Sequence, residues 1–384
     1  MARLGDICTV VSGSTPKSNI PEYWDGDIKW ITPAELTEES YIITDSARHI
    51  TEIGVQKTGL KPFPAGTVIL SSRAPIGKTA IAGCEMFCNQ GFKNLICSDQ
   101  VNNRYLYWFL TCNTNYLNSL GRGATFKEIS KGIVENIEIP LPPISKQVEI
   151  AEKFEKVSDL IALRKEQLAK LDELVKSRFV ELFGDCLTNP KGWKTKYLED
   201  IAEVGSSKRV FVEELQEDGI PFYRGTEVGA LAEGKQITPE LFITEQHYAE
   251  LCKATGAPRI GDLLMPSICP DGRIWVVDTD ESFYFKDGRV LWVHAIDASY
   301  NPVFLLYTLK DRIMTDYSSI ASGTTFAELK IFALKKCRVF DVPIALQNQF
   351  AAFVEQTDKS KSAVQKGLEE LELLKKALMQ KYFG

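Results

Sequence analysis

The chain has 384 residues, of which 44% are hydrophobic and 25% charged, and its formal net charge is −6 at pH 7. That length is too great for one ordinary core and suits two domains with connecting elements, and the composition excludes a disordered chain. No apolar run approaches the ~20 residues of a membrane-spanning helix, and the acidic balance excludes a uniformly basic nucleic-acid binder: any DNA contact has to come from local basic loops or from partner subunits.

The amino terminus, MARLGDICTVVSG, has neither the basic nor the apolar region of a signal peptide. Nine cysteines stand without CxxC spacing, and the only histidines are His49, His247 and His294. No zinc site is expected, and the scattered thiols suit a reducing, cytoplasmic setting without a membrane partner.

Residues 1–142 read as short β-rich runs between turn residues, with helix late. Strands are expected at 28–31, 67–70 and 95–96, and a helix over 103–117, where NRYLYWFLTCNTNYL clusters its apolar residues at helical spacing. Residues 143–184 change character. Pro143-Ile144 opens a long segment without internal proline, in which Ile150, Phe154, Val157, Ile161, Leu168, Leu171 and Val175 recur at spacings of mostly four and three. That is the apolar seam of a coiled coil. GDCLTNPKGW at 184–193 is a turn cluster that stops the helix.

Residues 185–342 then repeat 1–142 with drift. Leu4, Asp6 and Ile7 correspond to Leu198, Asp200 and Ile201; 28–36 matches 220–228; 63–78 matches 257–273 through Gly66/Gly261 and Ser72/Ser267. Segment 89–92 faces 286–289, and 121–129 matches 321–329. Residues 343–384 repeat 143–184 without a gap at an offset of 200, pairing Pro143/Pro343, Gln147/Gln347 and Phe183/Phe383. The second seam is Phe350, Val354, Val364, Leu368, Leu371 and Leu378; Arg164, Thr357 and Lys361 interrupt the two seams and favour specific over maximally stable pairing. The chain is thus a duplicated unit of globular domain plus long helix. A path out along one helix and back along the other makes the helices antiparallel and relates the halves by a pseudo-twofold axis. A helix of about 36 residues spans roughly 54 Å, enough to hold two domains at sites about one to one and a half duplex turns apart.

Catalytic motifs fail on inspection. Gly77-Lys78-Thr79 resembles the end of a phosphate-binding loop, but Ser72 stands where that loop needs glycine. Asn301-Pro302-Val303-Phe304 resembles an amino-methyltransferase tetrad, but no glycine-rich cofactor loop accompanies it and Pro302 more simply starts a helix over 303–310. Glu328-Leu329-Lys330 pairs by the repeat with Glu128-Ile129-Ser130, which cannot perform metal-dependent cleavage.

What remain are polar and basic loop residues. The first half offers Ser14, Lys17, Ser72, Arg73, Lys78, Lys93, Arg122, Thr125 and Lys127; the second offers Lys208, Arg209, Arg224, Arg273, Lys286, Arg289, Thr324 and Thr325. Arg and Lys at loop tips reach guanine edges or phosphates, and Ser and Thr donate to either. Arg73, Arg122, Arg224 and Arg289 lead for base or phosphate contact. The plain alternative for each is a solvated turn.

The pattern resembles the specificity subunit of a type I restriction-modification system over essentially the whole length. It is carried by Gly13-Ser14-Thr15-Pro16, Tyr23-Trp24, Trp30-Ile31-Thr32, Gly66-Thr67-Val68-Ile69-Leu70-Ser71, Ile76-Gly77 and Asn89-Gln90-Gly91-Phe92. The run Ile139-Pro140-Leu141-Pro142-Pro143-Ile144 leading into Gln147, echoed at Val342-Pro343-Ile344 with Gln347, is its most specific part. The second half departs from the pattern at LLMPSICPDG and FKDG. The resemblance implies an α+β fold of two similar target-recognition domains (1–142 and 185–342) joined by two long antiparallel helices (143–184 and 343–384). It implies recognition of a bipartite, asymmetric target in double-stranded DNA and assembly with two methyltransferase subunits and, in some systems, restriction subunits. The chain itself would then be non-catalytic, with S-adenosylmethionine, ATP and Mg2+ on the partners. A module of a methylation-only system, an enzyme in its own right and a scaffold without DNA binding stay open as alternatives.

Both long helices carry extra large apolar residues at their ends: Phe179, Leu182 and Phe183, and Met379, Tyr382 and Phe383. They either dock the helix end on the adjacent domain or present equivalent patches to two methyltransferase subunits, and the partner patch is the expectation.

Overall fold

A computed structural model describes residues 1–123, 127–323 and 327–384. They fall into two units, Met1–Glu166 with Gln365–Gly384, and Gln167–Val364. In the first, a five-stranded sheet has the order Cys8–Val11, Asn94–Cys97, Val68–Ser72, Ile76–Ala82, Ile42–Ile43. A second sheet sets Trp24–Ile31 between His49–Ile50, antiparallel, and Phe87–Cys88, parallel. The second unit repeats this plan. Its larger sheet is ordered Glu203–Gly205, Val290–His294, Leu263–Pro266, Trp275–Val276, and its smaller one places Ile220–Tyr223 between antiparallel Phe242–Ile243 and parallel Tyr284–Phe285. Trp30 pairs with Phe87 as Phe222 pairs with Tyr284, matching the sequence alignment of 28–36 with 220–228.

The predicted helix over 103–117 is two helices, Asn103–Cys112 and Thr114–Ser119. The break falls at Asn113, whose side-chain amide donates back to the Phe109 carbonyl at 2.8 Å and competes with helix continuation. Its counterpart, Pro302–Ile320, is capped by Asn301, which accepts from the Val303 amide, with Pro302 in the first turn. The Asn-Pro motif is a helix start.

The long helices span Ile144–Phe183 and Ile344–Phe383. Within the first unit the Phe154 ring stacks on Phe383 at 5.5 Å, and Gly367 lies beside Arg164. Within the second, Phe179 meets Phe350 at 5.4 Å and Lys361 pairs with Asp172 at 2.6 Å. Rising numbers on one helix meet falling numbers on the other, so the pairing in each unit is antiparallel. Seam residues Ile150, Phe154, Val157, Ile161, Val175, Phe350, Val354, Val364 and Leu368 are buried. Thr357 is tolerated there because its hydroxyl donates to the Phe353 carbonyl, and Lys361 because of Asp172.

One buried side chain ties each helix to its globular part. The Gln147 carbonyl accepts from the Asn102 amide (2.9 Å), while its NH2 donates to the carbonyls of Gln100 (3.0 Å) and Pro142 (2.8 Å). Gln347 repeats the set with Asn301, Ser299 and Val342. Past Phe183 the chain turns at Gly184 (φ 86°), and the Asp185 carboxylate accepts from the Leu187 and Thr188 amides. Among the described residues no helix is long and apolar enough to cross a membrane, and no group of three metal-ligating side chains comes together.

Candidate nucleic-acid interface

In the first unit four segments converge at one end of the sheets. The loop after Val11 is drawn in by two indoles: Trp30 Nε1 donates to the Ser14 carbonyl at 3.0 Å and Trp24 Nε1 to that of Lys17 at 3.2 Å. The Ser14 amide bonds to the Cys88 carbonyl, and a Cβ on Gly13 would lie 1.8 Å from that same oxygen, so only glycine permits the approach. Thr15 donates to Gln90, linking this loop to residues 89–92. Those residues meet the tip of the Val68–Ser72 and Ile76–Ala82 hairpin, where the Ser72 amide donates to Gly91. The fourth segment closes on the same tip: Ile129 donates to Ser72, and Arg122 and Glu128 exchange backbone bonds at 3.0 Å. Ser14, Lys17, Arg122 and Lys127 are exposed there and Arg73 is half-buried. The Glu128 carboxylate stands among them, 3.2 Å from Lys93 and 3.8 Å from Arg73.

The second unit builds the corresponding end. Ser206 and Ser207 donate to the Val290 and Phe285 carbonyls, and the Lys208 amide to the Tyr284 hydroxyl, fixing the loop after Gly205 against residues 284–290. Arg209 pairs with Asp287 at 3.4 Å. Ser267 donates to Arg289, Leu329 donates to Ser267, and the Arg289 guanidinium hydrogen-bonds Glu328. Lys208, Arg209, Lys286 and Arg289 are exposed. These bonds put Arg289, not Gly288, opposite Gly91, a one-residue correction to the matching of 89–92 with 286–289.

Several expected contact residues are committed inside the chain. Ser72 is fully buried in the ladder, and Lys93 is 8% exposed, its ammonium facing Ser72 and Glu128. Both leave the candidate surface: Ser72 ends the fully buried strand Val68–Ser72, and Lys93, just before Asn94–Cys97, is held against that strand by its amide bond to Leu70. Lys78 reaches across to the Leu36 carbonyl. Arg224 is half-buried and held by Glu227 and Glu240. Burial alone would raise the Glu227 carboxyl, but hydrogen bonds from Arg224 and neighbouring groups bring it down to about 2, so this pair stays ionised. Arg273 is tied to Asp271 at 2.8 Å and lies by Glu233. Thr125, Thr324 and Thr325 lie outside the described residues.

Burial of Phe179, Phe183 and Phe383 takes these three residues out of the expected partner patch, while Leu182, Met379 and Tyr382 stay partly exposed. Phe179 and Phe183 are buried against Phe304 and Phe350, and Phe383 against Tyr105, Phe109 and Phe154, with Leu182, Met379 and Tyr382 packed at the margins of these cores. They dock each helix end on its globular part. The sequence brings Glu128 and Glu328 forward only as a failed metal-cleavage motif, not as part of this surface; their equivalence at the same offset as the helices is the signal that points to a shared place.

A family model described as the type I restriction modification DNA specificity domain matches residues 1–173. The type I restriction enzyme MjaIX specificity subunit of Methanocaldococcus jannaschii is 32% identical, the match covering 99% of this chain and 91% of that protein. The MjaVIII specificity subunit of the same organism is 22% identical over 99% of this chain and 90% of its own. Among solved structures, the type I restriction-modification S subunit from M. genitalium aligns with a TM-score of 0.58 at 15% identity, covering 100% of this chain and 95% of that one. A chain from a study of complex assembly and conformational transition of the type I R-M system aligns with a TM-score of 0.62 at 19% identity, covering 100% and 96%.

Proposed function

Because the chain belongs to the type I restriction-modification specificity subunits, we propose that each unit reads one part of a two-part, asymmetric DNA target and that the chain directs methyltransferase, and in some assemblies restriction, subunits to it. The observation that carries this reading is the duplication with unequal ends. The three-stranded sheet, the buried glutamine with its three bonds and the backbone bonds of Ser72 and Ser267 correspond in the two units, and the larger sheet differs by one strand. The exposed cations differ: Lys17, Arg122 and Lys127 in one, Lys208, Arg209, Lys286 and Arg289 in the other. A shared scaffold with different loops suits two related recognition tasks. In this reading the chain is non-catalytic, and S-adenosylmethionine, ATP and Mg2+ reside on partners, which also supply phosphate-neutralising charge that a chain of net charge −6 lacks. Replacing residues 1–142 by the corresponding domain of a relative is expected to change one half of the methylated sequence and leave the other. Mapping methylated sites in cells carrying the assembled complex decides it, and a simultaneous change in both halves rejects the modular reading.

With Phe179, Phe183 and Phe383 buried, a protein partner can instead use apolar side chains exposed along the helices themselves: Leu160, Leu163, Leu174, Leu373 and Leu374, Leu373 to 69%. Two methyltransferase subunits, one per unit, fit the duplicated frame. Leu373→Glu with Leu374→Glu is expected to leave the chain folded and remove one methyltransferase subunit, as read by light scattering after size exclusion; full binding of two would exclude this surface.

A further inference from the structure

Glu128 and Glu328 stand 200 residues apart at equivalent places and are held in the same way. Glu128 pairs across with Arg122 and its neighbour Ile129 donates to Ser72 at 3.0 Å; Glu328 pairs across with Ser322 and Leu329 donates to Ser267 at 2.7 Å. Each carboxylate gathers one arginine and one lysine: Glu328 accepts a hydrogen bond from the Arg289 guanidinium, while Glu128 bonds Lys93 at 3.2 Å and holds Arg73 in an ion pair at 3.8 Å. Yet none of the four cations comes from a matching position. Arg73 follows Ser72, where Ile268 follows Ser267. Arg289 gives its carbonyl to Ser267, as Gly91 does to Ser72. Lys93 pairs with Leu70 where Leu291 pairs with Met265, and Lys330 stands where the first unit has Ser130. The anchor is kept and the source of the guanidinium is exchanged.

An acidic group facing duplex DNA repels phosphate and weakens binding. It has a use if it fixes the plane of a neighbouring guanidinium, since reading guanine O6 and N7 needs an oriented fork, and a free arginine has many rotamers. A fork held at the same anchor but reached from another strand addresses a different base. We propose that Glu128, through Arg73, and Glu328, through Arg289, are positioning residues that set base discrimination in the first and second units. The proposal rests on the DNA-recognition reading above and adds to it the residues that set the choice of base.

The test uses the full chain assembled with its methyltransferase partner and compares methylation rates on the preferred duplex and on each single-base-pair variant. Glu128→Ala is expected to reduce discrimination by about tenfold or more at one position of one half-target, with affinity for unrelated duplex unchanged or raised. Glu328→Ala does the same in the other half. Glu128→Gln, which keeps an accepting oxygen, gives a smaller drop at the same position and serves should the alanine variant not fold. Glu128→Ala added to Arg73→Ala costs nothing further, because the carboxylate acts through the arginine. An equal gain on every duplex with an unchanged methylated sequence overturns the proposal, as do additive losses in the double variant. A wild-type complex that discriminates no duplex overturns the recognition reading itself; a discriminating wild type with unaltered variants overturns only the positioning role.

Discussion

Phe183→Ala is expected to destabilise the second unit by about 3–5 kcal/mol. The ring is fully buried at the last position of its helix, with centroids of Phe304 at 4.7 Å, Phe179 at 5.0 Å and Phe350 at 5.6 Å. Three aromatic neighbours anchored on separate segments cannot all collapse into the space left, so a cavity term adds to the lost transfer energy. Phe383→Ala is expected to act the same way on the first unit, where Tyr105, Phe154 and Phe109 lie at 5.3, 5.5 and 5.7 Å. Denaturant titration of each variant measures the loss. An unchanged midpoint together with a lost methyltransferase subunit would restore the partner-patch role and refute the docking one.

Gln147→Leu is expected to cost about 2–3 kcal/mol, because a near-isosteric side chain leaves the partly buried Asn102 amide and the Gln100 and Pro142 carbonyls without their partner. Amide exchange at Asn102, the cap of helix Asn103–Cys112, should rise with it. Gln347→Leu should release the Asn301 amide in the same manner, and since the two glutamines lie in different units the effects should add in the double variant. Wild-type protection at Asn102 in Gln147→Leu would show that water replaces the side chain and would end the argument.

Some of this was written along the chain. Helical periodicity and a repeat at fixed offset are linear properties, so the two long helices, their seams and the duplication follow from residue spacing alone. The strand around Ile28–Ile31 and the helix start at Asn301-Pro302 follow from local pattern and capping chemistry. Gln147 and Gln347 were visible as an identity, but not their task, since Gln100, Asn102 and Pro142 are joined only by side-chain bonds.

The loops were the harder part. Lys93 and Ser72 sit in polar stretches that sequence alone reads as exposed, and pairing of Lys93 with Leu70 turns them inward beside a carboxylate 35 residues further on. Arg224 and Arg273 were lost to the interface because acidic partners, some of them many residues away in the chain, claim them. The terminal aromatics were ambiguous for a related reason: a large apolar residue at a helix end is satisfied equally by its own domain or by a partner. The sequence by itself determined the duplicated frame, because periodicity and translation need no third dimension. Which cations face outward, and which carboxylate holds them, was decided only by tertiary structure, because burial and ion pairing depend on distances between segments that spacing along the chain does not encode.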